Sequence, residues 1–517
     1  MWFVLIAGIV LALLVSIGLY DVLQRKHAIL RNFPVIGHLR YILEKIGPEL
    51  RQYIVTDNDE ERPFSRDQRR WVYSSAKRED DYFGFGTDND FERPAPGYVI
   101  VKHSAFPHPP VLADADAAHP IPAAKVVGAW RGRAKAFRPS SVVNISGMSY
   151  GSLSGAAVEA LNRGAALAGC WQSTGEGGLS AFHRKGGDLV FQIGTGYFGV
   201  RDAAGNFDLG RLVALCEENP VRAIEVKLSQ GAKPGLGGML PGAKVSKVIA
   251  EVRGIEVGKD CISPAYHHAF SDIDGMLAFI ERVADATGVP VGIKSAVGDE
   301  AFWPQLAQRM VQTGTGPDFV VVDGGEGGTG AGPLAFTDHV ALPFRIGFPR
   351  VYRAFAEADL HHKVAFGGSA KLGFPEASLL ALALGCDWVS VAREAMLAIG
   401  CVQAQRCHTD HCPTGVATQR PWLARGLDPD LKSVRCANYL ITLRKELLRL
   451  AHACGVSHPS LVGLDRLELL DADGSAVSAA TRFGYQPGWG LPSPEEATTV
   501  DAMVTAAGAV AVALPGH

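Results

Sequence analysis

Eight short apolar runs, each closed by a glycine- or serine-rich loop, constrain the fold of this chain more than any other feature. They cover residues 142–145, 171–173, 189–193, 223–228, 291–294, 319–322, 364–366 and 388–391. Helical patterns at 155–168, 274–286, 302–312 and 375–384 lie between them. Parallel strands need a long crossover, usually a helix, so the alternation implies a parallel sheet. Eight such units predict an α/β fold, a closed (β/α)8 TIM barrel whose functional loops gather at the C-terminal ends of the strands. An open doubly wound sheet is the rival. The count of eight, with distinctive loop chemistry after nearly every run, favours the barrel.

Many of the 59 glycines fall in those loops. A glycine turns sharply and lets backbone N–H groups approach an anion. Gly327, Gly328 and Gly330, then Gly367 and Gly368, follow the late runs, where barrels of this type hold phosphate. They predict a phosphate-bearing cofactor; tight turns alone are the plainer reading. The match Gly194-x-Gly-x-x-Gly199 resembles a dinucleotide fingerprint. It lacks a well-placed acidic residue at the end of a second strand and reads as a barrel loop. Lys294 ends the fifth run, where an ammonium could stabilise the charge of a reduced flavin. Lys233 could grip a substrate carboxylate, and Glu176, flanked by glycines, could stand near the reacting centre. His267 and His268 could donate hydrogen bonds to substrate. The plain alternatives are solvated lysines, a polar turn and a loop pair without a role.

Cys401, Cys407 and Cys412 form a C-x5-C-x4-C pattern followed by Pro413. Thiolates at short spacing wrap a thiophilic centre, an iron–sulfur cluster being the leading candidate. His408 and His411 keep zinc open as an alternative. Cys436 and Cys454 read as buried apolar side chains.

Residues 1–20 contain no charge and would span about 30 Å as a helix, the thickness of a bilayer core. Trp2 and Tyr20 flank the segment, and Arg25, Lys26, Arg31 and Arg40 follow it. The pattern predicts a single-pass membrane anchor with the catalytic part cytoplasmic. A signal peptide is the rival, but a basic n-region and a small-x-small cleavage site are missing. Residues 21–110 are polar but carry aromatics such as Trp71, Tyr73, Tyr82 and Phe83, so they predict an extension packed on the main domain. The net charge of −3, without a long basic stretch, argues against a nucleic-acid partner.

Residues 140–420 resemble the FMN-binding synthase domain of glutamate synthases. The resemblance is carried by Gly147-Met-Ser-Tyr-Gly-Ser152, Ser173-Thr-Gly-Glu-Gly-Gly178, Gln230-Gly-Ala-Lys-Pro-Gly235, Ser263-Pro-Ala-Tyr-His-His268, Gly327-Gly-Thr-Gly330 and the cysteine loop through Gln419. The whole chain looks like the short, membrane-tethered members of that group. The resemblance implies FMN held near Met148, Ser149, Tyr150, Ser173, Lys294, Ala392, Arg393 and the late glycines. It implies a [3Fe–4S] cluster on Cys401, Cys407 and Cys412. It further implies an oxidoreductase acting on CH–NH2 donors, converting 2-oxoglutarate and ammonia through 2-iminoglutarate to L-glutamate. Gln230, Lys233, His267 and His268 would meet the substrate, and Glu176, Lys233 and Lys294 would be catalytic.

Two departures stand out. Leu236 and Met239 occupy positions where the family typically has an acid and an amide. The sequence also suggests neither a glutaminase nor an NAD(P)H domain, so a separate glutaminase or free ammonia, and a ferredoxin or separate reductase, are the expected partners. A dehydrogenase of another amino or 2-oxo acid, and a non-catalytic cofactor-binding scaffold, are the alternatives. The expected organisation is an anchor at 1–22, an extension packing on the barrel at 23–135, the barrel at 136–425 with its iron–sulfur loop at 400–419, and a helical and irregular extension at 426–517.

Overall fold

The computed structural model describes residues 2–24, 26–79, 86–87, 97–109 and 120–513; Arg25, Tyr82 and Phe83 lie outside the described residues. The chain forms two units, Met1–Arg70 and Trp71–His517, a division that falls inside the stretch 23–135.

In the first unit, α1 (Trp2–Leu23) contains an 18-residue window of mean hydropathy 2.7 and is exposed along its apolar length. It is long and apolar enough to cross a membrane. A short α2 (Ala28–Asn32) and α3 (Gly37–Leu50) follow, and α3 continues into a π-helical turn, Arg51–Val55. The next helix, α4 (Arg66–Lys77), leads into the second unit.

The second unit contains the predicted barrel. Its strands are β1 (Val143–Ile145), β2 (Trp171–Ser173), β3 (Asp188–Ile193), β4 (Val221–Lys227), β5 (Val291–Ser295), β6 (Phe319–Asp323), β7 (Ala365–Ser369) and β8 (Trp388–Val391). All eight pair in parallel, in chain order, and β8 closes on β1 through Val389 opposite Val143. Nearly every strand residue is buried, as expected when helices cover the outer face and side chains fill the inner one.

The crossover helices are α5 (Gly155–Ala168), α6 (Leu209–Glu218), α7 (Lys247–Arg253), α8 (Ile273–Thr287), α9 (Phe302–Thr313), α10 (Leu334–His339), α11 (Phe344–Glu357), α12 (Pro375–Ala383) and α13 (Arg393–Ala398). Local chemistry sets their ends. Ser154 and Asp272 cap the starts of α5 and α8, and left-handed Gly169 and Gly288 stop them. One connection departs from the ideal: between β2 and β3 there is only a 3-10 turn, Ala181–His183. Five glycines in residues 174–187 remove the helical propensity there.

The base of the barrel is an aromatic plug. Trp171 meets Phe137 and Trp388 edge-on at 6.0 and 5.3 Å, and Phe319 packs on Trp388 at 5.8 Å. Residues 121–138 close this end and are riveted by charge. Lys125 Nζ reaches Asp387 at 3.2 Å and the Val364 carbonyl at 3.0 Å. Arg133 Nε donates to Asp318 at 3.0 Å, and its other nitrogens donate to Glu281. Burial works against the Arg133 charge, but Glu281 and Asp318 outweigh it and hold its pKa above the ordinary value. The extensions meet beside the barrel, where strand Tyr98–Val101 pairs antiparallel with Leu467–Leu470. Helices α14 (Pro421–Ala424) and α15 (Pro429–Ala453) follow the cysteine loop.

Removing one partner of a buried pair strands the other charge, at a cost of about 3–5 kcal/mol. Arg133→Met is therefore expected to lower the unfolding free energy read from urea denaturation by an amount in that range, whereas exposed Arg211→Met changes it little.

Candidate active site

The C-terminal ends of the strands carry a cluster of buried charges. Lys227 ends β4 and lies in register beside Lys294 of β5. Lys294 Nζ stands 3.4 Å from both Asp323 Oδ1, at the end of β6, and Ser146 Oγ, after β1. Burial pulls its pKa down, but Asp323 and then Glu225 outweigh that and keep the ammonium above the ordinary lysine range. Glu225 points into the same space and accepts from Gln192 Nε2; burial raises its pKa. Beneath lies a small cavity of ≈10 Å³, floored by Trp171, Phe319 and Trp388 and roofed by Ser146, Ser173, Glu225 and Lys294.

Glu176, in the β2 loop, accepts from Lys227 Nζ at 3.0 Å. Burial alone would raise its pKa, but Lys227 and then Lys233 hold it below the ordinary glutamate range. A Cβ on Gly194 would lie 2.6 Å from the Glu176 Cβ, so only glycine leaves room for this carboxylate. Lys233 is buried and donates to the Gly237 carbonyl at 2.9 Å. Burial draws its pKa down, with Glu176 opposing the shift. Gln230 links two loops: its Oε1 accepts from Lys227 at 3.1 Å, and its Nε2 donates to the Gly328 carbonyl at 3.3 Å.

The two histidines separate. His267 is buried, with Nδ1 3.1 Å from the Tyr197 hydroxyl and Nε2 2.9 Å from the Lys227 carbonyl. Burial lowers its pKa, and it braces the end of β4. His268 is exposed. Leu236 and Met239 are also exposed, and Met239 pairs with Ile262 in a two-stranded ribbon over the β4 loop.

The loops expected to hold a cofactor sit at the same end. Met148 and Ser149 are half-buried, whereas the Tyr150 ring packs against Phe182 at 5.1 Å. Ser173 Oγ is buried without a hydrogen-bond partner among the described residues. Arg393, just after Ala392, lies against Gly328 and donates to the Glu326 carbonyl. The side-chain directions of Gly367 and Gly368 are filled by Trp388 and by Phe344 with Leu372, so both glycines have a packing reason of their own. An orphaned hydroxyl, a buried ammonium and a cationic glycine loop fit a flavin with its phosphate.

The cysteine loop abuts this end. A Cβ on Gly330 would lie 3.3 Å from the Cys407 Cβ. Lys244 Nζ donates to the carbonyls of Cys407 at 2.8 Å and Ala417 at 3.0 Å, and Tyr73 donates to the Cys401 carbonyl at 2.8 Å. Cys401 and Cys407 are half-exposed and Cys412 is buried. Among the described residues no group of three His, Cys, Asp or Glu closes on a single metal ion. Three thiols on one loop are the donor type that an iron–sulfur cluster takes. Sequence reasoning missed Lys227, Glu225, Asp323 and Lys244. Lys227 carried a signal close to that of Lys294, a lysine one residue before the end of a strand run.

Residues 126–457 match the family described as a conserved region in glutamate synthase. The chain belongs to the glutamate synthase family. It is a glutamate synthase-like, flavin-dependent oxidoreductase. The glutamate synthase large subunit-like protein YerD of Bacillus subtilis is 39% identical over 507 residues, covering 92% of this chain and 95% of that protein. The archaeal-type glutamate synthase [NADPH] of Thermotoga neapolitana is 36% identical over 318 residues, covering 61% of this chain and 59% of that one. The chain thus spans about three-fifths of that relative. Among solved structures, a mandelate oxidase variant is similar at a TM-score of 0.40 and 17% identity, over 72% of this chain and 84% of that one.

Glu176 owes its low pKa to Lys227, so their attraction contributes stability above the ordinary glutamate pKa and loses it as pH falls through the lower folded value. The stability gap between wild type and Lys227→Met is expected to be widest near pH 7 and to narrow in acid, as read by unfolding across a pH series. A gap that widens in acid contradicts the pairing.

Proposed function

We propose that the chain reductively aminates 2-oxoglutarate, through 2-iminoglutarate, to L-glutamate, with FMN and a [3Fe–4S] cluster as cofactors and electrons from a ferredoxin or separate reductase. The observation that carries this reading is the convergence of Glu176, Lys227 and buried Lys233 at the barrel mouth where Lys294 also stands. Bound FMN would supply a hydride from its reduced N5.

The chain's own residues do the rest. Lys294, with Ser146 and the orphaned Ser173 hydroxyl, would hold the polar edge of the ring. Gly327, Gly328, Gly330 and Arg393 receive the phosphate. Lys233 exchanges the Gly237 carbonyl for a substrate carboxylate, a charge-assisted contact. Ammonia adds to the keto carbon and water leaves. Ionised Glu176 then stabilises the positive nitrogen of the protonated imine until its carbon accepts the hydride. Cys401, Cys407 and Cys412 hold the cluster beside Gly330. Helix α1 anchors the protein by a single pass, with the catalytic unit on the cytoplasmic side, and ammonia arrives free or from a separate glutaminase.

A second reading is favoured by Leu236 and Met239, whose exposed apolar side chains flank the Lys233 loop. In it the same cofactors serve another amino or 2-oxo acid. Reduced ferredoxin, ammonia and 2-oxoglutarate supplied to the detergent-purified protein are expected to yield glutamate. Flavin that stays reduced, with no glutamate formed, overturns the substrate assignment. Lys233→Ala is expected to lower kcat/KM by about 10–100-fold, the worth of one charge-assisted hydrogen bond, with flavin retained. Unchanged kcat/KM removes Lys233 from the site. Cys407→Ser is expected to lose iron and sulfide while keeping its flavin spectrum; full iron content in that variant removes Cys407 from the ligand set.

A further inference from the structure

The catalytic unit accounts for little of Met1–Arg70, yet that unit carries a second apolar surface besides α1. Leu39, Ile42, Leu43, Ile46, Leu50 and Ile54 recur at helical spacing along α3 and its π-helical turn. At 3.6 residues per turn they share an arc of roughly 120°, with Arg40, Glu44, Lys45 and Arg51 on the remainder. Leu39, Ile42, Leu43 and Ile46 are 57, 54, 51 and 42% exposed. Such a stripe on a water-soluble surface costs hydrophobic free energy in proportion to its area, so something covers it.

Where the helix begins indicates what covers it. Asp21, near the C-terminal end of α1, is fully buried. Its Oδ2 accepts the Val35 N–H at 2.8 Å, and its Oδ1 lies 3.0 Å from His38 Nε2. Leu30 packs under Gly37 in the same turn. The start of α3 is therefore tied to the level at which the apolar span ends, which for an inserted α1 is the membrane–water boundary. Tyr20, one residue before Asp21, is exposed, as suits a side chain at that boundary. Charge points the same way. Residues 22–55 contain six Lys or Arg and two Asp or Glu, a net charge of +4 in a chain of net −3 overall. Basic residues beside a span are attracted to anionic lipid, and a helix with an apolar stripe and a charged opposite face lies in the interface plane.

We propose that α3 and its π-helical turn lie along the surface of an anionic bilayer, apolar stripe inward, as a second membrane contact continuous with α1. Nineteen helical residues lie in it, a footprint about 28 Å long. This rests on the reading of α1 as an anchor. The contact resists rotation about the span, which α1 alone cannot do.

The test uses the full chain in vesicles of phosphatidylcholine and phosphatidylglycerol. A benzoylphenylalanine photocrosslinker is placed singly at Leu39, Leu43 and Ile46, and at Arg40 and Glu44 as polar-face controls. Flotation is scored first, then the adducts are mapped by mass spectrometry. The expected result is flotation with lipid adducts from the three stripe positions and few from the two controls. Chains that float but crosslink from the stripe only to residues 71–517, or to a second copy, overturn the surface-helix proposal and leave the anchor standing. Chains that fail to float overturn the anchor and this proposal together. Equal lipid adducts at stripe and control positions overturn the stated orientation. None of these outcomes depends on turnover.

Discussion

Buried charge governs the second unit. Lys227, Lys233 and Lys294 share the barrel mouth with Glu176, Glu225 and Asp323, and all six are largely withdrawn from water. An ion left unpaired in such a place costs several kcal/mol. Each lysine therefore needs a carboxylate or carbonyl: Lys227 and Lys294 take theirs from a separate loop or strand, and Lys233 takes the Gly237 carbonyl of its own loop. The pairs run from the β2 loop to β4 and from β5 to β6, so only a closed, correctly registered barrel satisfies them. The aromatic base and the charged rivets at Lys125 and Arg133 hold the opposite end.

The same network gives the mouth its chemical character. Glu176 stays ionised because two ammonium groups face it, while burial draws the Lys233 pKa down and Glu176 opposes that shift. Neither property belongs to either residue alone. Gly194 belongs to this balance as well, since any side chain there would displace the carboxylate. The cysteine loop is fastened through backbone carbonyls, by Lys244 and Tyr73.

The architecture was legible because its signals are local and periodic. Each of the eight apolar runs overlaps a barrel strand, and 155–168 is a helix with the bounds its pattern predicts. The missing helix between β2 and β3 was also written locally, in five glycines. The site was legible in part. Lys294 ends a strand run and could be placed. Lys227 lies one residue before the end of the neighbouring run, but its importance comes from Glu176, some fifty residues earlier. His267 and His268 are adjacent in sequence, and nothing local distinguishes the brace from the exposed ring. Gly367 reads as a ligand glycine until Trp388 is seen to occupy its side-chain space.

Alone, the sequence determined the strand and helix periods, the capping residues, the apolar span and the three closely spaced cysteines, because each depends on neighbours within a few residues. Tertiary structure decided which charges meet, which glycines make room for other side chains and which histidine is buried. It also decided that Asp21 ties the start of α3 to the end of α1. Those outcomes depend on distances between residues far apart in the chain, and such distances exist only once the barrel has closed and the helices have folded back.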